Sequence, residues 1–284
     1  MDFEQFIKEA AALLDLQWRR FKRGGIKRRV ERRITELGLP TFEDYLVRTE
    51  RDPEEKSHLS QILTVTITRF FRDEEVFEIL EKSILPSMIE HRGGGDFKIW
   101  SMGCANGEEP YSLSMLWKER FENKFPEIRL AILATDINKG LLERAREGRY
   151  KKSSLKEVPE EILRRFFKIE DGFYMMDRSI RESVGFKRHD LIHGEPFSGM
   201  DIIFCRNLAF TYFSKESQMS VLKKIAASLK ENGYLITGKD ESLPLTYPTL
   251  FVSIFPAEKI YQKFNPKSAI SLVSSDLIFR DRVR

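Results

Sequence analysis

Three short runs hold residues whose types and spacing could do chemistry. They are Gly103-Cys104-Ala105-Asn106-Gly107-Glu108-Glu109-Pro110-Tyr111-Ser112, Ala134-Thr135-Asp136-Ile137 and Cys205-Arg206-Asn207. The first follows the strand-like Phe97–Ser101 and opens a helix-like run, the place where open α/β sheets hold nucleotide-type ligands. Glycine there lets the backbone come close to a ligand, which makes Gly103 a candidate contact. The Gly-x-Gly-x-x-Gly spacing of a dinucleotide site is absent, and so is the lysine of a phosphate loop. Glu108 and Glu109 would repel a pyrophosphate and suit a cationic ligand. The same segment also reads as a tight turn whose acids are favoured by the helix dipole. Asp136 ends a second strand-like run, where a carboxylate can hold both ribose hydroxyls of an adenosine. Alone it would read as a helix cap. Adenosine, a cationic group and no pyrophosphate together describe S-adenosylmethionine better than NAD or ATP.

The elements that must position these runs follow from periodicity. The first seventy residues show only helical spacing, with Phe3, Phe6, Ile7, Ala10, Ala11 and Leu14 in one run and Ile26, Val30, Ile34 and Leu37 in another, after an interruption at Gly24-Gly25. Thr41 and Asp44 resemble a capping box opening a third helix, and a fourth is expected from Glu54 to about Val65. A longer helix is expected from Asp73 toward Glu90, and Gly93-Gly94-Gly95 form a joint. Strand and helix then alternate: strands at 97–101, 129–135, 201–205 and 233–237, and helices at 108–121, 139–147 and 214–229. Such alternation predicts a parallel sheet with helices on both faces. Between them, 172–175 and 183–186 read as two extended pieces that could pair as an inserted hairpin. The expected organisation is a helical domain over 1–72, a linker helix over 73–95, an α/β domain over 96–265 with an insertion at 166–190, and a tail over 266–284.

The 284 residues carry 48 Lys and Arg against 44 Asp and Glu, a net charge of +4. That balance hides a window, Arg19 to Arg33, with nine basic residues against the single acid Glu31. The window carries +8 and leaves the rest of the chain at −4. Its charges read as a solvated helix face or as a track for phosphates. Limited aromatic interleaving and a net negative body disfavour nucleic acid. No apolar run approaches the roughly 18–20 residues of a membrane span. Met1–Ala10 contains three acids and does not read as a signal peptide. Two cysteines, Cys104 and Cys205, make neither a disulfide framework nor a zinc site, and a cytoplasmic location is expected. The four histidines lack metal-ligand spacing, so no metal is expected.

These blocks carry a family resemblance. Thr68-Arg69-Phe70-Phe71-Arg72-Asp73, Gly107-Glu108-Glu109-Pro110-Tyr111-Ser112, Ala134-Thr135-Asp136-Ile137, Cys205-Arg206-Asn207 and Asn232-Gly233-Tyr234-Leu235 occur in the order found in the CheR-type chemotaxis protein-glutamate O-methyltransferases, which the chain resembles over about residues 3–265. The resemblance implies a Rossmann-like class I SAM-dependent methyltransferase domain with a small all-helical N-terminal domain and an inserted β-hairpin subdomain. It implies S-adenosylmethionine as cofactor and S-adenosylhomocysteine as product. Thr68 and Arg72 then reach over the cofactor, Glu108 and Asp136 contact it, Asp190 and Leu191 lie beside the adenine, and Cys205 and Arg206 line the pocket. Tyr212 and Arg72 become the candidate catalytic residues. Thr66 stands where the family often has asparagine and joins the candidate cofactor contacts. Arg28, Arg29, Arg32 and Arg33 match the family's basic helix, which meets the methylated coiled coil of a chemoreceptor cytoplasmic domain. Three departures mark a divergent member: Thr66 itself, Tyr212 five rather than four residues after Asn207, and Lys239-Asp240-Glu241 in place of His-Ser-Glu.

A substrate glutamate is already ionised at neutral pH and needs no general base. The absence of a His or Cys nucleophile constellation agrees with that chemistry. The expected protein is a cytoplasmic monomer that esterifies glutamates on an acidic helical partner. Methylation of nucleic acid or another protein, and a non-catalytic SAM-sensing role, are the rival readings.

Overall fold

The structure, a computed structural model, describes residues 1–18, 23–64, 68–90, 92–245 and 247–264. Thr66 and the tail 266–284 lie outside the described residues. Helices α1 (Phe3–Leu13), α2 (Arg23–Glu36), α3 (Phe42–Arg51) and α4 (Pro53–Leu63) form the N-terminal domain. Their starts follow capping chemistry. Asp2 accepts from the N–H of Gln5 at 2.8 Å, Thr41 Oγ1 from that of Asp44 at 3.1 Å, and Asp52 from that of Glu54 at 3.0 Å, with Pro53 at the first helical position. Phe6, Val30, Tyr45, Leu59 and Leu63 fill the space between them. Gly24 and Gly25 do not separate two helices as the periodicity predicts, because they fall inside the first turn of α2.

Residues 68–73 lead into α5 (Glu74–Ile79), a π-helical turn (Leu80–Ile84) and α6 (Leu85–Ile89). Pro86 has no N–H to give to the carbonyl of Lys82, and the ladder loosens just before it. The remaining elements are β1 (Gly95–Met102), α7 (Glu108–Arg120), β2 (Ile128–Asp136), α8 (Lys139–Glu147), β3 (Arg149–Tyr150), α9 (Glu160–Phe166), β4 (Phe167–Glu170), β5 (Phe173–Met176), α10 (Arg178–Arg181), β6 (Val184–Arg188), β7 (Met200–Cys205), α11 (Ala209–Tyr212), α12 (Lys215–Ser228), β8 (Leu229–Thr237), β9 (Phe251–Phe255) and β10 (Ile260–Lys263).

Seven strands form one sheet in the order β6-β2-β1-β7-β8-β10-β9. The first five are parallel, and β10 runs antiparallel to both β8 and β9. Strand order reverses between β1 and β7, so the crevice at their carboxyl ends is where such a sheet binds ligands. The alternation in sequence predicts four of the five parallel strands, β1, β2, β7 and β8. It does not predict the β9–β10 hairpin, whose residues read only as the end of the α/β domain.

The inserted piece differs from expectation. The extended run at 183–186 does not pair with 172–175; it is β6, the parallel edge strand beside β2. The hairpin partner of β5 is β4, joined through Asp171 and Gly172 at φ 47° and 74°, the left-handed pair that two-residue hairpin turns require. β3 completes this separate three-stranded sheet, so the insertion recruits residues from before 166.

The two domains are joined by backbone. Gln17 N–H donates to Tyr212 O at 2.6 Å and Ser214 N–H to Asp15 O at 2.6 Å, bracketing a bridge between Leu16 and Phe213. One apolar cluster runs from α1 through this junction to β7 and α12.

Candidate active site

The turn after β1 is built from left-handed residues: Gly103, Ala105 and Gly107 have φ of 66°, 51° and 87°. A Cβ on Gly103 would run into Leu208 Cδ2, so a larger residue there must displace that side chain as well as hold a left-handed φ. Asp136, the last residue of β2, accepts from Ala105 N–H at 3.1 Å and from Asn138 N–H at 2.9 Å. Burial pushes its carboxyl above the ordinary aspartate range, against the pull of those N–H groups. After β6, Asp190 closes a turn by accepting from the N–H groups of Ile192 and His193 at 2.8 and 3.1 Å. Lys224 of α12 fixes that turn by donating to the carbonyls of Ile192 and Gly194 at 2.7 and 2.9 Å.

Two cavities open at this end of the sheet. The larger, about 360 Å3, has Gly103, Asp136, Asp190, Leu191 and Tyr212 on one side. Lys56, Ser57, Ser60 and Gln61 of α4 line the other, a wall that no motif in the sequence announced. The smaller, about 70 Å3, is lined by Thr68, Arg72, Cys104, Glu109 and Arg206. Gly103 and Asn207 line both, so the two cavities adjoin.

Glu108 and Glu109 divide their work in a way that differs from expectation. Glu108 lines neither cavity. It is buried and hydrogen-bonded by Ser154 and Thr68, its Oε2 has no partner, and burial carries its pKa up to about 7. Its carbonyl accepts from Ser112 Oγ at 2.7 Å, and that Oγ accepts from Phe71 N–H at 2.9 Å. The start of α7 thus latches the 68–73 segment over the smaller cavity. Glu109 is the residue on the wall. It accepts from Ser101 Oγ at 2.7 Å and pairs with Arg206 Nη1 at 3.2 Å. Arg206 Nη2 reaches the carbonyl of Arg72 at 3.0 Å and the carboxylate of Asp73. Cys205 also differs: it is fully buried in the core, lines neither cavity, and burial holds its thiol well above the usual range.

The basic helix divides as well. Arg33 is drawn inward to Glu55, with Nη2–Oε2 at 2.6 Å and Nε–Oε1 at 3.1 Å, and Tyr45 hydroxyl donates to the same carboxylate at 2.8 Å. Burial works to raise the pKa of Glu55, yet the hydrogen bonds from Arg33 and Tyr45 hold it below the ordinary value. Arg33 therefore belongs to the domain's interior network. Arg28 and Arg32 are exposed and Arg29 is half-buried; Arg32 approaches Glu36 at 3.6 Å.

A mostly parallel seven-stranded sheet with an antiparallel hairpin at one edge, an acidic strand end and a glycine turn at its switch point defines a class I SAM-dependent methyltransferase. The chain belongs to the CheR methyltransferase family: residues 66–259 match its SAM binding domain and residues 1–64 its all-alpha domain. It is 30% identical over 242 residues to a chemotaxis protein methyltransferase of Listeria monocytogenes, covering 85% of this chain and 90% of that one. It is 32% identical over 248 residues to chemotaxis protein methyltransferase 2 of Vibrio cholerae, covering 85% of each. An uncharacterized 104.1 kDa protein of Rhodobacter capsulatus is 33% identical over 250 residues, which make up 88% of this chain but only 26% of that protein. S-adenosylmethionine is the cofactor of this family's binding domain, and the paired cavities, with one carboxylate at a strand end, fit it. Among the described residues no helix is long and apolar enough to cross a membrane.

Proposed function

We propose that this chain is a cytoplasmic, monomeric protein-glutamate O-methyltransferase whose substrate is an acidic helical surface of a chemoreceptor cytoplasmic domain. The observation that carries the reading is the arrangement of the two cavities: they meet at Gly103 and Asn207, beneath the bound 68–73 segment and against α4. When bound, S-adenosylmethionine supplies a sulfonium methyl that an ionised carboxylate can take, forming the ester O–CH3 bond as the S–CH3 bond breaks to leave S-adenosylhomocysteine.

The chain's residues bind, orient and exclude water. Asp136, on the wall of the larger cavity, would hold the ribose hydroxyls, and Asp190 with Leu191 would flank the adenine. Arg72, Thr68 and Arg206, on the smaller cavity, would hold the methionyl end, and Gly103 lies on the wall common to both cavities. Tyr212 stands on the wall of the larger cavity, with its backbone held by Gln17 of the helical domain. Because a substrate glutamate is ionised at neutral pH, catalysis by positioning is sufficient and no side chain has to remove a proton. Arg28, Arg29 and Arg32 offer the acidic partner a cationic face that steers encounter. The chemotaxis methyltransferases to which the chain is similar support this choice of partner.

The test is incubation with radiolabelled S-adenosylmethionine and a receptor cytoplasmic fragment, followed by base. Methanol release marks a carboxylate ester. Label that survives base points to N-methylation and sinks the proposal. Cofactor binding without transfer to any protein favours a sensor instead.

A further inference from the structure

The glutamate of the Lys239-Asp240-Glu241 block, a buried carboxylate, reaches the stretch that lines both cavities. Glu241, in the segment after β8, is 2% exposed and accepts from four donors. Its Oε2 takes the N–H groups of Asn207 at 2.8 Å and Gly238 at 2.6 Å; its Oε1 takes Leu208 N–H at 3.2 Å and Thr211 Oγ1 at 2.7 Å. No ion pair offsets its charge among the described residues. Three of the four donors belong to the 206–212 stretch that follows β7 and includes α11. There Asn207 takes φ 55°, in the left-handed region that asparagine tolerates better than most non-glycine residues. The approach is tight: a Cβ on Gly238 would sit 2.8 Å from Asn207 Oδ1 and 2.9 Å from Glu241 Oε2.

The same stretch supplies much of the cavity walls. Arg206 and Asn207 line the smaller cavity, Asn207, Leu208 and Tyr212 the larger, and Leu208 packs on Gly103. Four convergent donors need an acceptor with about four lone-pair sites, which among side chains an ionised carboxylate provides. An amide would keep one oxygen for Asn207 and Gly238, while its NH2 would oppose Leu208 N–H and could only donate to a reoriented Thr211 hydroxyl.

We propose that Glu241 is the positioning residue of the cofactor site, shaping the 206–212 loop so that Asn207, Leu208 and Tyr212 present a preformed wall. It touches no cavity itself and acts through that loop. The proposal rests on the reading of the two cavities as the cofactor site, and the controls separate the two.

The experiment measures S-adenosylhomocysteine affinity by calorimetry and amide hydrogen exchange across the full chain. Glu241→Gln is expected to raise Kd roughly tenfold or more, and to speed exchange at 207–212 by a similar factor, as loss of a buried multi-donor acceptor implies. Exchange in β1 and β2 stays as in the native protein. Glu241→Asp, which keeps the acceptor sites, recovers part of both. Thr211→Val removes one donor and raises Kd by only about two- to threefold. Should Glu241→Gln fail to fold, Gly238→Ala displaces the carboxylate by contact and is expected to weaken binding and speed loop exchange in the same way. Unchanged loop exchange in Glu241→Gln, or unchanged affinity in it and in Gly238→Ala, overturns the positioning role. Asp136→Ala with native affinity would overturn the cofactor-site reading instead, whatever the loop does.

Discussion

The carboxylate of Asp136 accepts the N–H of Ala105 at 3.1 Å, tying the end of β2 to the turn that follows β1. One oxygen thus braces the glycine turn, while the other accepts from Asn138. Asp136→Ala is expected to raise the Kd for S-adenosylhomocysteine by roughly 10–100-fold, the effect of removing charge-assisted hydrogen bonds from a part-buried site. Calorimetry reads this directly, and native affinity in the variant removes Asp136 from the site.

Gly103 and Leu208 set the junction of the two cavities. Gly103→Ala places a Cβ in a left-handed conformation and against Leu208, a strain of about 1–3 kcal/mol. Cofactor affinity is expected to fall by tenfold or more, roughly 1.4 kcal/mol. Adding Leu208→Ala is expected to restore part of that loss. A double variant as weak as the single one would show that the conformation, not the contact, is limiting.

Glu108 predicts a pH dependence of stability. Its pKa of about 7 in the folded protein lies above the ordinary 4.5. Between those values the folded state holds a proton that the unfolded chain has lost, so stability falls as pH rises toward 7. The contribution is at most about 3 kcal/mol. Glu108→Gln is expected to flatten the stability profile between pH 5 and 7.5 and to raise stability at about pH 8. Urea unfolding at several pH values checks it; identical slopes in both proteins would remove Glu108 as the source.

The basic helix should respond in two distinct ways. Reversing Arg28, Arg29 and Arg32 to glutamate is expected to raise KM for the protein substrate, most strongly at low salt, and to leave S-adenosylhomocysteine affinity unchanged. Arg33→Ala should act on stability instead, because it strands the buried Glu55 carboxylate. The expected cost is roughly 2–4 kcal/mol, at the lower side for a buried pair because the Arg33 side chain reaches solvent. An Arg33 variant as stable as the native protein but poor in substrate binding would return that residue to the recognition surface.

Four of the five parallel strands and the helices between them were legible in the sequence because apolar periodicity and strand–turn–helix boundaries are local; the fifth, β6, read as half of a hairpin. Also legible were Gly103, a turn that needs a left-handed residue, and Asp136 at a strand end. Which of Glu108 and Glu109 lines the smaller cavity was not. Glu108 and Glu109 are consecutive on a helix and point about 100° apart, so the seating of α7 on the sheet decides that Glu109 reaches the cavity. Cys205 is the last residue of a strand buried along its whole length, while Arg206 has already left the sheet. The hairpin pairing turned on a choice between partners of similar local character, which the left-handed turn at Asp171-Gly172 and the open edge beside β2 resolved. Arg33 looked like its neighbours until Glu55, 22 residues away, captured it. The α4 wall and the Glu241 carboxylate emerge only when distant segments meet. A sequence by itself determines what each residue can do and which local element it favours. Its neighbours across the fold are set by how whole elements bury their apolar faces, and those neighbours decided which of these charges became site, scaffold or surface.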